Sequence, residues 1–353
     1  MDRFVYAASP SRIVFGADSI DQLPAEIERL GARRALVLCT SNQRDQAQAI
    51  AERLPGRIAG IFDEAVMHVP IETARRARAL ASELKADCAL AIGGGSTIGL
   101  GKAIALESGL PIIAVPTTYA GSEVTPIYGI TEGGLKKTGR EARVLPRVVV
   151  YDPKLTLTLP MDLTVTSAIN AMAHAAEGLY AHDGNPVISL MAEEGIRACA
   201  ASLQPLRENP RDLPARSLAL YGAWLCGTVL GAVSMGLHHK LCHTLGGTFD
   251  LPHAQVHTVV LPHALRYNAN AAPEAMARIA RALGVADASM GFFELARTHG
   301  APVSLKAIGM PANGLEHAAE LAAANQYPNP RPLESVALRA LLDRALDGAP
   351  PTP

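Results

Sequence analysis

The stretch CALAIGGGSTIGLGKAIALES, residues 88–108, decides the fold. Cys88–Ile92 is an apolar run of strand length, Gly93-Gly94-Gly95 breaks it, and Ser96 to about Glu107 carries helical spacing. A strand that passes through glycine into a helix is a building unit of nucleotide-binding α/β sheets. The alternation repeats on either side. Arg34–Cys39, Ile58–Phe62, Pro111–Val115 and Val148–Tyr151 read as strands, and Gln43–Arg53 and Ile71–Leu84 as helices. Strands apolar on both faces predict a parallel sheet covered by helices.

From Met161 the pattern turns helical: Leu163–Tyr180, Val187–Leu203, Pro214–Met235, His238–Leu245, His257–Asn268, Glu274–Leu283, and on to Leu346. The break lies within Asp152–Pro160. The expected organisation is an α/β nucleotide-binding domain over 1–157 and an all-α domain over 158–353. A cleft between two such domains is a favoured ligand site.

Composition excludes several classes. A chain of 353 residues suits two domains, and 49 % hydrophobic with 18 % charged residues is not a disordered composition. Lys+Arg is 32 against Asp+Glu 33, so no general field draws the chain to nucleic acid or to an anionic membrane. No stretch is apolar enough to predict a membrane span, and the opening MDRFVYAASP does not read as a signal peptide, so a cytoplasmic location is expected. Cys39, Cys88, Cys199, Cys226 and Cys242 are scattered and predict buried, reduced thiols.

Two loops follow predicted strands where open α/β sheets place ligands. Gly93–Gly95 allow close backbone approach, and Ser96 is expected to cap a helix whose free N–H groups suit a pyrophosphate. The spacing is not the G-x-G-x-x-G fingerprint. Pro116–Glu123, PTTYAGSE, is hydroxyl-rich, with Ser122 reading as the cap of a short helix. After Cys39 come Thr40, Ser41 and Asn42, with no acid to accept a ribose 2′-OH, so NADH and NADPH both stay open.

Histidines crowd the helical half. Six of the chain's 11 lie between 238 and 263, and His239 and His243 share a helix face at i, i+4, as Asn170 and His174 do. That density predicts a functional site. His263 alone reads as structural.

These motifs together resemble the iron-containing (group III) alcohol dehydrogenase superfamily, and within it the maleylacetate reductases. The resemblance rests on GGGST at 93–97, PTTYAGSE at 116–123, LKKTG at 135–139, YDP at 151–153, NAMAHAAE at 170–177, HHKLCHTLGG at 238–247 and LPHAQVHTVVLPH at 251–263. It implies a dehydroquinate synthase-like architecture, an NAD(P)-binding α/β domain with a helical domain, hydride transfer in the cleft, and a homodimer.

The resemblance also implies residue roles. Gly93, Gly94, Gly95, Ser96, Thr117, Thr118, Ser122, Lys136, Thr40, Ser41 and Asn42 are expected at the cofactor. Metal-dependent members hold iron or zinc with one Asp and three His. The His positions match His174, His239 and His253, but the Asp position is Asn170 here. A neutral amide is a weaker ligand than a carboxylate, so no required metal is expected, although three histidines leave a weak site open. The implied reaction is reduction of the C=C bond of maleylacetate to 3-oxoadipate in aromatic-compound degradation, with chlorinated forms left open. His243 is then the proton donor or relay. His174, His239 and His253 form a polar wall, Lys240 holds a carboxylate or the enolate, and Asn170 and Tyr119 bind substrate. A metal-dependent alcohol or polyol dehydrogenase, a dehydroquinate synthase-like lyase and a non-catalytic nucleotide-binding protein are the alternatives.

Overall fold

Short apolar runs bounded by polar turns form the strands β1 (Arg12–Phe15), β2 (Ala35–Leu38), β3 (Ile58–Phe62), β4 (Cys88–Gly93), β5 (Ile112–Pro116) and β8 (Val148–Tyr151). They make one six-stranded sheet in the order β1-β8-β5-β4-β2-β3, and every pairing is parallel. β2, β4, β5 and β8 are buried throughout, as their unbroken apolar sequences require. The crossover helices are α1 (Leu23–Arg29), α2 (Arg44–Glu52), α3 (Ile71–Glu83) and α4 (Gly95–Ser108). An antiparallel hairpin of β6 (Ile127–Glu132) and β7 (Leu135–Arg140) stands apart from the sheet.

The structure is a computed structural model that describes residues 4–9, 11–133, 135–324 and 327–352, without the Lys136 side chain. The chain divides into two compact units, Ala8–Leu159 and a second from Pro160 onward that also takes in the residues up to Ala7.

The second unit is helical: α5 (Met161–Gly178), α6 (Pro186–Glu208), α7 (Leu213–Ala232), α8 (Leu237–Phe249), α9 (His253–Asn268), α10 (Pro273–Leu283), α11 (Ala288–Thr298), α12 (Leu315–Ala324) and α13 (Ser335–Asp347). Leu237, Leu241 and Leu245 of α8 share a core with Val256, Val259 and Val260 of α9 and with Leu338 and Leu342 of α13. Each such fully buried leucine contributes about 1.5–3 kcal/mol, and together they fix how α8 rolls. All five cysteines are buried and unpaired in disulfides, as expected. No single described helix is long and apolar enough to cross a membrane.

Two helix starts differ from expectation. Ser96 does not cap α4: the cap position is Gly94, in extended conformation, with no side chain bonding the first N–H groups. Ser122 lies inside a short 3-10 turn whose cap is Gly121 in the left-handed region. In both places a glycine takes the backbone shape that the turn demands, which leaves the serine one or two residues too late to cap.

Candidate active site

In the α/β unit, the strand order reverses between β2 and β4. From β2 the chain steps outward to β3, then returns to place β4 on the other side. Crevices at such reversals, beyond the carboxyl ends of the strands, are where open α/β sheets bind nucleotides. Thr40 follows β2, and its Oγ1 donates to Gln43 Oε1 at 3.2 Å. Gln43 Nε2 donates to Thr117 Oγ1 at 2.7 Å, linking the β2 and β5 loops. The β4 loop joins them, since Thr117 N donates to the Gly93 carbonyl at 3.1 Å.

Gly93 has a φ of 153°, and a Cβ there would lie 2.5 Å from Thr97 Oγ1 and 2.7 Å from Gln43 Oε1. A Cβ on Gly94 would lie 2.9 Å from Thr118 Oγ1. The glycines are therefore dictated by loop contact, and the start of α4 keeps its N–H groups without a side-chain cap, as an anion-binding turn needs. Gln43 is the member of this cradle that sequence reasoning missed. Its only signal was a position three residues beyond Thr40.

The other residues expected at the cofactor divide. Ser41 and Asn42 are exposed at the start of a turn, Gly95 is exposed and Ser96 half-buried. Ser122 is engaged by Lys102, a fully buried lysine whose Nζ donates to the Ser122 carbonyl at 2.7 Å, Ser122 Oγ at 3.1 Å, Thr125 Oγ1 at 2.9 Å and the Ile127 carbonyl at 2.7 Å. Burial brings the Lys102 ammonium down to about 7, against the pull of Glu123. Ser122 thus has a role inside the loop, and its half-buried hydroxyl accepts from Lys102. Tyr119, expected to bind substrate, is completely buried. Lys136 lies in β7, and its side chain falls outside the described ones.

In the helical unit, six imidazoles gather. Ring centroids are 4.9 Å apart for His174–His239, 5.0 Å for His239–His257, 4.4 Å for His253–His257, 4.7 Å for His238–His257, 6.3 Å for His239–His243 and 6.4 Å for His243–His253. His174 comes from α5, His238, His239 and His243 from α8, and His253 and His257 from α9. The structure therefore brings together the four histidines expected in catalysis and adds two. His174 and His239 are buried, His253 half-buried and His243 exposed. His263 is buried elsewhere on α9. Lys240 is half-buried with its Nζ 5.7 Å from the Tyr327 ring centroid.

Polar bonds order the cluster. His174 Nδ1 and His239 Nε2 are 2.7 Å apart. His239 Nδ1 meets Glu177 Oε2 at 2.6 Å. His238 Nε2 meets His257 Nδ1 at 2.9 Å. Burial drives the His238 imidazole down to about 3 and His257 well below the usual range, so both are neutral. Burial alone would raise the Glu177 carboxyl, but the His239 hydrogen bond and the neighbouring imidazoles bring it to about 2. Glu177 lay inside the motif NAMAHAAE without a role; its i+3 spacing from His174 was the available signal.

A cavity of about 640 Å³ in this unit is lined by Glu177, Tyr180, His182, Ser189, Glu274 and Asn329 among others. None of the residues expected in the site lines it.

Comparison with known proteins places the chain. Residues 10–153 match the iron-containing alcohol dehydrogenase model, and residues 164–346 match the C-terminal model of the Fe-containing alcohol dehydrogenase family. The chain belongs to the iron-containing alcohol dehydrogenase family. It is thereby an NAD(P)H-dependent oxidoreductase acting on a small molecule. It is 65 % identical over 352 residues to a maleylacetate reductase of Burkholderia cepacia, covering 100 % of both chains. Identity to a maleylacetate reductase of Sphingobium indicum is 57 %, over 99 % of each. The fold matches the crystal structure of maleylacetate reductase from Agrobacterium tumefaciens with a TM-score of 0.96 and 55 % identity, over 99 % of this chain and 100 % of that one.

The metal in the family's name would face Asn170, His174, His239 and His253. These residues suit it poorly. The set has no anionic ligand, and Asn170 presents a buried amide Oδ1 without a partner. His174 Nδ1 and His239 Nε2 are engaged with each other at hydrogen-bond distance, which needs a proton between them rather than two lone pairs on one cation. Cys242, His238 and His257 also have ligand atoms within 4.8 Å of one another. Burial raises that thiol far above its usual range, which leaves it protonated and a weak donor.

Proposed function

We propose that this chain reduces the C=C bond of maleylacetate to 3-oxoadipate with NADH or NADPH, without a required metal, as a homodimer serving aromatic-compound degradation. The observation that supports it best is Asn170, with a buried Oδ1, one helical turn before a member of a six-histidine cluster, in a chain alike end to end to maleylacetate reductases. A donor-rich wall suits a dianionic substrate, whereas a carboxylate at position 170 would suit a cation.

The Gly93–Gly95 turn, the start of α4, Thr40, Thr117 and Thr118 would hold the dinucleotide. When bound, the reduced nicotinamide supplies the hydride that adds to the alkene carbon remote from the ketone. Charge then builds on the ketone oxygen as an enolate. Donors among His174, His239, His253 and Lys240 stabilise that oxygen, which is where electrostatic catalysis gains most. His243 delivers a proton to the carbon beside the ketone, so one hydride and one proton are added per turnover. Its exposure suits reloading from water, and imidazole transfers protons near neutral pH. Asn170 donates its amide to a substrate carboxylate.

The test is loss of reduced-nicotinamide absorbance on adding maleylacetate, with 3-oxoadipate identified by mass. Turnover of simple alcohols or polyols in place of maleylacetate would favour the metal-dependent dehydrogenase reading. Substrate conversion without net nicotinamide oxidation would favour the lyase.

A further inference from the structure

Glu177 belongs to α5, yet most of its partners lie at the start of α8, around 60 positions later in the chain. Its Oε2 accepts from Gly236 N at 3.0 Å, His239 N at 3.3 Å and His239 Nδ1 at 2.6 Å. Its Oε1 accepts from His238 N at 2.8 Å and Tyr180 OH at 3.2 Å. The carboxylate has no exposed surface. α8 has no side-chain cap of its own, so Glu177 caps it from a distance, where the helix dipole favours a negative charge. Gly236 keeps the approach open: a Cβ there would lie 3.2 Å from Glu177 Oε1 and 3.1 Å from Asn329 Oδ1.

We propose that Glu177 is the positioning residue of the histidine cluster, holding a proton on His239 Nδ1 through Oε2 and so fixing the orientation of that ring toward His174. An ionised carboxylate only accepts, so His239 must be protonated at Nδ1. Nε2, on the far side of the same ring, then meets His174 Nδ1 at 2.7 Å. The direction of the Glu177 bond and the orientation of the His239 ring are thereby set before substrate arrives. That is the preorganisation a wall of donors needs, and partners of this kind are commonly worth about 10–100-fold when removed. The catalytic consequence rests on the function proposed above; the tautomer does not.

The experiment uses the full-length protein labelled with 15N-histidine. The wild-type spectrum is expected to show His239 protonated at Nδ1. In E177Q the amide oxygen takes the place of Oε2, where three donors converge, and its NH2 group faces His238 N–H. E177Q therefore keeps the His239 tautomer and most of kcat while losing thermal stability. E177L has no acceptor, so the tautomer is lost and kcat falls about 10–100-fold with KM for nicotinamide unchanged. A wild-type His239 protonated at Nε2 overturns the proposal, and so does a folded E177L that loses the tautomer but keeps kcat. Should E177L fail to fold, the wild-type and E177Q spectra decide. A wild-type enzyme inert toward maleylacetate would sink the proposed function alone, since the spectrum reads the tautomer independently.

Discussion

His238 Nε2 and His257 Nδ1 share a hydrogen bond of 2.9 Å between two rings with no exposed surface. Burial keeps both neutral, His238 down to about 3. In the unfolded chain they protonate near 6.5. Below that pH the unfolded state takes up protons that the folded state refuses, so stability falls as pH falls, by about 1.4 kcal/mol per histidine per unit until the folded value is reached. Glu177 adds to this between its ordinary 4.5 and about 2. Thermal melts should show Tm dropping steadily from pH 6.5 to 4. A Tm that stays level from pH 6.5 to 5 contradicts neutral burial of the pair.

Asn170 has a buried amide oxygen without a partner, one helical turn before His174. Restoring a carboxylate should convert this corner from anion-binding to cation-binding. N170D is expected to co-purify with iron or zinc and to raise KM for maleylacetate roughly tenfold or more, because a carboxylate faces a dianion. Elemental analysis and steady-state kinetics check both halves; if neither changes, the role given to Asn170 is wrong.

His243 is exposed at the edge of the cluster while the rings around it are largely covered. H243Q should lower kcat by about 10²–10⁴-fold and remove the limb of the pH profile that belongs to its imidazole, with nicotinamide binding retained. Retention of the wild-type kcat would reassign the proton to another residue.

Gly93 combines a φ of 153° with contacts a methyl group cannot share. G93A should displace Thr97 and Gln43, raise KM for the nicotinamide about tenfold or more, and destabilise the α/β unit by about 1–3 kcal/mol. Fluorescence titration with NADH and a melt measure the two effects. Unchanged binding would remove the β4 turn from the cofactor site.

Elements with unbroken apolar runs were legible. β3 and β8 fall on the expected residues, and β4 exceeds Cys88–Ile92 by one. β1 was missed because Arg12–Phe15 is a short, half-exposed edge strand, and the β6–β7 hairpin because its residues face solvent on much of their surface. The helix read from His257 begins at His253, since Pro252 sets its start and His253 joins the first turn. The histidine cluster was legible as density, but its ordering was not. Glu177 acts on residues up to 62 positions away, and Gln43 on Thr117, 74 away, so local spacing gave each only a faint signal.

In the proposed reaction, imidazoles and one amide do the electrostatic work that a bound cation would do. The measurement that tests it is kcat/KM for maleylacetate with each nicotinamide, before and after exhaustive chelation, with metal content followed alongside. The expected result is the same kcat/KM at both stages with less than one equivalent of metal throughout. Activity that vanishes on chelation and returns with one equivalent of iron or zinc would contradict it.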